Sequence, residues 1–190
     1  SIPFGLLRQA LLEHCDVQLS DDAAARQEKL RVQLGQLLPV PERERTVPFL
    51  GELCGVPFPD ELNVGLRAAR QEPRLMEDEI RRSFVSWLRF ECARQPVLLV
   101  LEDLHWSDSA TVQLIDVALR ELENSPLFVL ALARPEAPDI FPKLWPGRAQ
   151  PVPLRPLSRR ASEQLVKQVL GKQTPAEVAE RIVAQSAGNA

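Results

Sequence analysis

The sequence predicts an α/β fold: a parallel sheet flanked by helices, closed at its C-terminal end by a helical segment. Three observations carry that expectation. Val97–Leu101 and Leu127–Ala133 are two continuous apolar runs of strand length. A helical apolar stripe at Val112, Ile115, Ala118, Leu119 and Leu122 lies between them, the order of a parallel crossover. A strand apolar at every position is expected to be buried on both faces, as in parallel sheets covered by helices on each side.

The elements follow in order. Phe4–Cys15 has Phe4, Leu7, Leu11 and Leu12 at helical spacing, and Ala23–Leu38 has Leu30, Leu34, Leu37 and Leu38 on one face. Pro39 and Pro41 are read as its stop, Val47–Leu53 as a short helix, and Gly55–Pro59 as a turn-rich break. Met76, Ile80, Phe84, Trp87, Leu88 and Cys92 recur at three- and four-residue steps, an amphipathic helix of about five turns. Gln95-Pro96 ends it, because the residue before proline is pushed out of helical geometry. Ser107-Asp108 caps the crossover helix and Asn124-Ser125-Pro126 breaks it. Val152–Leu154 is a third, short strand candidate. Ser158–Leu170 is a helix stopped by Gly171, and Thr174-Pro175-Ala176-Glu177 reads as a capping box with proline at the first helical position, opening a helix to about Ser186.

Composition limits the function classes. The chain has 190 residues, 45% hydrophobic and 26% charged, close to an ordinary globular average. A formal net charge of -3 speaks against a dedicated nucleic-acid surface, which needs clustered Lys and Arg. No apolar run approaches the roughly 18–20 residues that cross a bilayer, and no signal peptide is visible, so a cytoplasmic location is expected. Cys15, Cys54 and Cys92 are odd in number and far apart, suiting reduced thiols better than a disulfide frame or a zinc site. There are 17 prolines and 8 glycines. The chain starts at Ser1 and stops at Gly188-Asn189-Ala190 without winding down, and is read as an excerpt from a longer polypeptide.

In an open α/β sheet, ligands bind beyond the carboxyl ends of the strands. Glu102 and Asp103 follow the first apolar strand and Arg134 follows the second. Acids at the end of a buried strand must be hydrated, paired or metal-bound. A magnesium–phosphate site has a use for all three: one acid holds Mg²⁺, the other orients or deprotonates the attacking water, and Arg134 faces phosphate charge. The same residues serve equally as caps and solvated loop residues, with Arg134 paired to Glu102 across the strand tips. Asp103-x-His105-x-x-Asp108 is a weak transition-metal pattern. His14 reads as a surface residue. Trp106 reads as a loop anchor under the next helix, with adenine stacking as the alternative.

The string Val-Leu-Leu-Val-Leu-Glu-Asp-Leu-His-Trp-Ser-Asp, then Phe-Val-Leu-Ala-Leu-Ala-Arg-Pro-Glu and Arg-Pro-Leu-Ser, resembles the predicted-ATPase domain of the STAND class of P-loop NTPases. These are AAA-like modules of large bacterial signalling proteins. Pro3-Phe4-Gly5-Leu6-Leu7, Phe49-Leu50-Gly51-Glu52-Leu53, Leu66-Arg67-Ala68-Ala69-Arg70-Gln71 and the ending Ala187-Gly188-Asn189-Ala190 resemble the version attached to Ser/Thr kinases. The resemblance implies a P-loop NTPase-like parallel sheet flanked by helices, incomplete because it lacks the P-loop strand, with a C-terminal helical lid. It divides the chain into a partial AAA-like core over 1–156 (a helical connecting region over 1–75, then the Walker B and sensor-1 strands over 76–156) and the start of a lid over 157–190.

By the same resemblance, Glu102-Asp103 occupies the Walker B position. Glu102 and Asp103 are the metal and catalytic residues, Arg134 is the sensor-1 arginine, and Arg134 and Asp108 are assigned to nucleotide binding. Glu102 departs from the commoner Asp, moving the metal by about one methylene. The implied cofactors are ATP and Mg²⁺. The implied partners are other domains of the same polypeptide (a kinase, cyclase or LuxR-type domain, with tetratricopeptide repeats) and nucleotide-dependent self-association, with no direct nucleic acid and no membrane. No G-x-x-x-x-G-K-[ST] loop occurs in the chain, and Gly171-Lys172-Gln173 lacks the spacing and the Ser/Thr of one. Without the P-loop strand beside it, Leu127–Ala133 is expected to expose an unpaired edge, so that residues 1–190 alone express poorly and have no ATP affinity. A degenerate AAA-like scaffold that binds partners but no nucleotide is the competing reading.

Overall fold

A computed structural model describes residues 3–61, 63–171 and 173–188. Lys172, Asn189 and Ala190, which belong to segments discussed above, lie outside the described residues. The chain forms two compact units, Ser1–Ala149 and Gln150–Ala190.

The first unit begins with four helices. α1 (Gly5–His14) buries Leu7 and Leu11, and α2 (Ala23–Gly35) buries Leu30 and Leu34 after Asp22 caps it by accepting the Ala25 N–H at 2.8 Å. α3 (Val40–Cys54) is longer than the Val47–Leu53 expectation. The prolines read as a stop instead start it: Pro39 flanks the helix and Pro41 lies in its first turn, where a missing N–H removes no helical bond. Pro48 is carried inside the helix. Gly55 ends α3 in left-handed geometry (φ 66°), with Gly55 N–H bonded to Glu52 O and Val56 N–H to Gly51 O, a Schellman closure. α4 (Val64–Gln71) is capped by Asn63, which accepts the Leu66 N–H at 2.9 Å. Arg70 ties it to α3 through Glu52 at 2.6 Å and to the preceding loop through Asp60 at 3.0 Å.

α5 (Pro73–Arg94) is the spine of the unit and buries Ile80, Phe84, Val85, Leu88 and Cys92. Gln95 in extended geometry then leads into β1 (Val97–Leu101). α6 (Ser109–Glu121) and β2 (Leu127–Ala131) complete the crossover, and α7 (Ala137–Ile140) is a single turn. β1 and β2 pair in parallel, from Val97 opposite Leu127 to Leu101 opposite Ala131. The core is continuous from Leu7 through Leu50 and Leu88 to Ile115, so helices and sheet share one hydrophobic centre.

Three expectations are corrected here. Within the first unit, among the described residues, only one face of the sheet is covered: Val97, Leu99, Leu127 and Val129 pack on the core, while Leu98, Val100, Phe128 and Leu130 remain 42–65% exposed. A continuous apolar run does not distinguish two covered faces from one covered and one open. Val152–Leu154 is not a strand; Pro151 and Pro153 remove two backbone donors, and Val152 and Leu154 are largely exposed. In the second unit, α8 (Arg159–Leu170) is capped by Ser158, which accepts the Ala161 N–H, but α9 (Ala176–Ser186) has no side-chain cap. α9 opens one residue later than expected, with Pro175 at its N-cap, so Thr174 lies outside the cap, donates its hydroxyl to Gly171 O at 2.8 Å, and the capping box does not form.

Among the described residues no helix is long and apolar enough to cross a membrane. Cys15, Cys54 and Cys92 are free and buried; burial pushes the Cys15 and Cys54 thiols up to about 12, which leaves them unreactive packing groups.

Candidate functional site

The backbone ladder does not stop where the strands end. Leu132 donates its N–H to Leu101 O at 2.8 Å, and Leu104 donates to Leu132 O at 2.9 Å. These two bonds hold the carboxyl ends of β1 and β2 level, so the residues leaving both strands share one rim of the sheet. Glu102 and Asp103 leave β1 and Arg134 leaves β2.

Asp103 adopts a left-handed conformation (φ 52°), a region that Asp tolerates better than most residues but still at a cost in strain. It reverses the chain into a 3₁₀ turn over Leu104–Trp106, pinned by fully buried Leu104. The Asp103 side chain is 74% exposed, and among the described residues no hydrogen-bond donor reaches the carboxylate of Asp103 or of Glu102. Arg134 is exposed and forms no ion pair among the described residues, so the alternative Glu102–Arg134 pair is not made. Three charged groups thus stand on one rim with their charges unspent on protein partners. Their opposite signs suit an anionic ligand accompanied by a hard cation.

His105 joins the acid side to the arginine side. Its ring is 7% exposed; Nδ1 accepts the backbone N–H of Arg134 at 3.4 Å, and Nε2 lies 3.9 Å from Asp103 Oδ1. Sequence spacing offers His105 only as a weak metal ligand and does not show this link. The available signal was its place two residues after the acid, on a turn that folds back toward the neighbouring strand. Among the described residues no three His, Cys, Asp or Glu side chains converge as a metal cage, so Asp103, His105 and Asp108 do not form a transition-metal centre. Trp106 is 72% exposed and tilted against His105, with ring centroids 5.4 Å apart. It is therefore not an anchor under the following helix; buried Leu104 has that role.

Asp108 is engaged differently. Its carboxylate accepts four hydrogen bonds: Thr111 N–H and Thr111 Oγ1 at 2.9 Å, and the N–H groups of Phe4 and Gly5 at 3.1 Å. It caps α6 and also receives the first N–H groups of α1, where the helix dipole favours negative charge. Partial burial pushes its carboxyl up, but the bonds from Thr111, Phe4 and Gly5 outweigh that and hold it below the usual carboxylate range.

Magnesium needs oxygen donors, keeps several of its waters, and is bound by one or two carboxylates together with substrate phosphates, so no closed protein cage is required. Glu102 and Asp103 fit that demand because neither carboxylate is consumed by a protein donor. The glycine-rich phosphate cradle that completes such a site is not among these 190 residues.

Comparison with known proteins bears on the same region. A family model described as AAA ATPase domain matches residues 1–130, which take in α1 to α6, the acidic strand tip and β2 up to Leu130. The uncharacterized protein R02095 of Rhizobium meliloti (strain 1021) is 25% identical over 101 residues, 52% of this chain and 9% of that protein. The matched stretch is thus a small part of that relative's length. No solved structure matches the chain.

Proposed function

This chain belongs to the AAA ATPase domain family, and from that premise we propose that it is part of an ATP-binding, slowly hydrolysing regulatory module of the STAND type in a bacterial signal-transduction protein. The observation that carries the reading is the levelled pair of strand tips, with uncommitted Glu102 and Asp103 on one and uncommitted Arg134 on the other. A bound Mg²⁺ would supply charge neutralisation at the phosphate oxygens. Glu102 would hold the cation. Asp103 orients the attacking water and accepts its proton. Arg134 offsets the charge that gathers on the phosphoryl oxygens in the transition state.

The rest of the reading rests on the sequence resemblance, supported by the small share of the Rhizobium relative that is matched. The module works inside a longer cytoplasmic polypeptide with an effector such as a Ser/Thr kinase, cyclase or LuxR-type domain and tetratricopeptide repeats, and bound nucleotide controls self-association or effector activity. Asp108 contributes by holding the site loop, and the α8–α9 unit is the lid that follows nucleotide state. The sequence resemblance also supports a second reading, a degenerate scaffold that binds partners without nucleotide: Glu102 departs from the shorter Asp that the resemblance implies at this position.

Isothermal titration of the intact polypeptide with Mg-ATP tests the first reading. Saturable binding that Arg134→Ala weakens by roughly tenfold or more, the size of a lost charge-assisted contact, is the expected result. No binding heat from a polypeptide that contains an intact G-x-x-x-x-G-K-[ST] loop overturns it and leaves the scaffold.

A further inference from the structure

We infer that His105 is a positioning residue for Asp103: it ties the orientation of the acid at the tip of β1 to the backbone of the arginine at the tip of β2. The inference rests on the reading of the strand tips given above, and on three observations around the ring. First, Nδ1 accepts the Arg134 N–H at 3.4 Å. A backbone N–H can only donate, so Nδ1 carries the lone pair and the neutral ring carries its proton on Nε2. Second, that Nε2 is buried and has no hydrogen-bond partner, although the ring around it is more than nine-tenths covered. Buried polar atoms are paired in the great majority of cases, so an orphaned donor calls for a specific acceptor. Third, an acceptor stands just out of reach: Asp103 Oδ1 lies 3.9 Å away, on a side chain that is 74% exposed and has no other donor among the described residues.

The two groups complement each other. Asp103 is held in a left-handed turn that fixes its backbone, while its side chain is left to rotate. A rotation of that side chain closes the gap between one carboxylate oxygen and Nε2–H. The other oxygen remains free for water. Because the ring is held through Nδ1 by the Arg134 backbone, any displacement of the β2 tip moves the donor that Asp103 follows. His105 touches neither phosphate nor metal in this arrangement; it acts through Asp103.

Two amide variants separate the two ends of the ring. In His105→Gln the amide nitrogen falls near the Nε2 position and keeps a donor for Asp103. In His105→Asn the amide oxygen falls near Nδ1 and keeps the acceptor for Arg134 N–H, but no donor reaches Asp103. In the intact polypeptide carrying isotope-labelled histidine, the ring signal that disappears in His105→Gln belongs to His105. The expected spectrum has His105 protonated on Nε2, with a signal that moves on Asp103→Asn. In the intact polypeptide, His105→Asn lowers ATP turnover about tenfold or more at unchanged nucleotide affinity, and His105→Gln restores most of it. A ring protonated on Nδ1, an Nε2 signal blind to Asp103→Asn, or equal turnover in the Asn and Gln variants overturns the inference. If Asp103→Asn lowers turnover while His105→Asn does not, this inference falls and the reading of the site stands. If Asp103→Asn leaves turnover intact, both fall.

Discussion

The backbone N–H of Phe4 donates to the Asp108 carboxylate at 3.1 Å, a contact that spans 104 positions of the chain. Phe4 is itself left-handed (φ 62°), and Gly5 N–H donates to the second oxygen of the same carboxylate. One side chain therefore fixes the start of α1 and the start of α6 together. The loop carrying Glu102 and Asp103 is anchored at its far end by this double cap.

Asp108→Ala is expected to destabilise the fold by about 1–3 kcal/mol, because it removes the α6 cap and leaves two α1 donors without their acceptor. The effect also has a pH signature. The folded carboxyl sits below its ordinary value of 3.8, so its contribution is fully present above that value and is lost as pH falls through the folded value. Urea titrations of the wild type should lose stability on acidification into that range more steeply than those of Asp108→Asn. Parallel curves would contradict this account of the cap.

Glu42 on α3 accepts Ser86 Oγ of α5 at 2.6 Å and pairs with Arg45 at 2.7 Å. The Arg45 guanidinium first, then the Ser86 hydroxyl, hold its carboxyl below the ordinary range. Glu42→Ala and Ser86→Ala are each expected to cost about 1 kcal/mol, with the double variant costing less than the sum. Additive losses in a double-mutant cycle would show that the two groups do not couple.

Gly51 packs where α3 meets the loop behind it. A Cβ there would lie 2.5 Å from the Phe58 ring and 2.7 Å from Val56 O, and the latter is main chain held by its place in the Schellman closure. Gly51→Ala is expected to cost about 1–3 kcal/mol by overpacking, read as a lower urea midpoint. An unchanged midpoint would mean that the loop yields freely.

The two faces of the sheet make opposite predictions. Leu130→Ser on the open face should change stability by no more than about 0.5 kcal/mol while reducing self-association in sedimentation, whereas Leu88→Ala in the core should cost about 2–5 kcal/mol. A large stability loss in Leu130→Ser would show that the face is covered.

What the sequence made legible follows from how far each signal reaches. β1, β2 and α5 were readable because apolar runs and stripes are bounded by local breaks at Gln95-Pro96 and Asn124-Ser125-Pro126. The Asp108 cap on α6 was readable for the same reason: its partner Thr111 is three residues away. Its hold on Phe4 was not, since nothing local announces a partner 104 positions distant. Pro39 and Pro41 were read as a stop because proline ends one helix and opens the next with the same chemistry. Thr174 has the spacing of a capping box, but the helix opens one residue later with Pro175 at its N-cap, which shifts Thr174 out of capping register. The acid pair and Arg134 were placed at strand ends by the apolar runs alone, while His105 depended on how the 3₁₀ turn folds back.

Water activation by Asp103 beside a magnesium-bound phosphate chain is read most plainly from ATP turnover by the intact polypeptide with Asp103→Asn. Turnover is expected to fall by roughly a hundredfold or more, the size of a lost general base, with Mg-ATP affinity retained. Turnover equal to that of the wild type would contradict it.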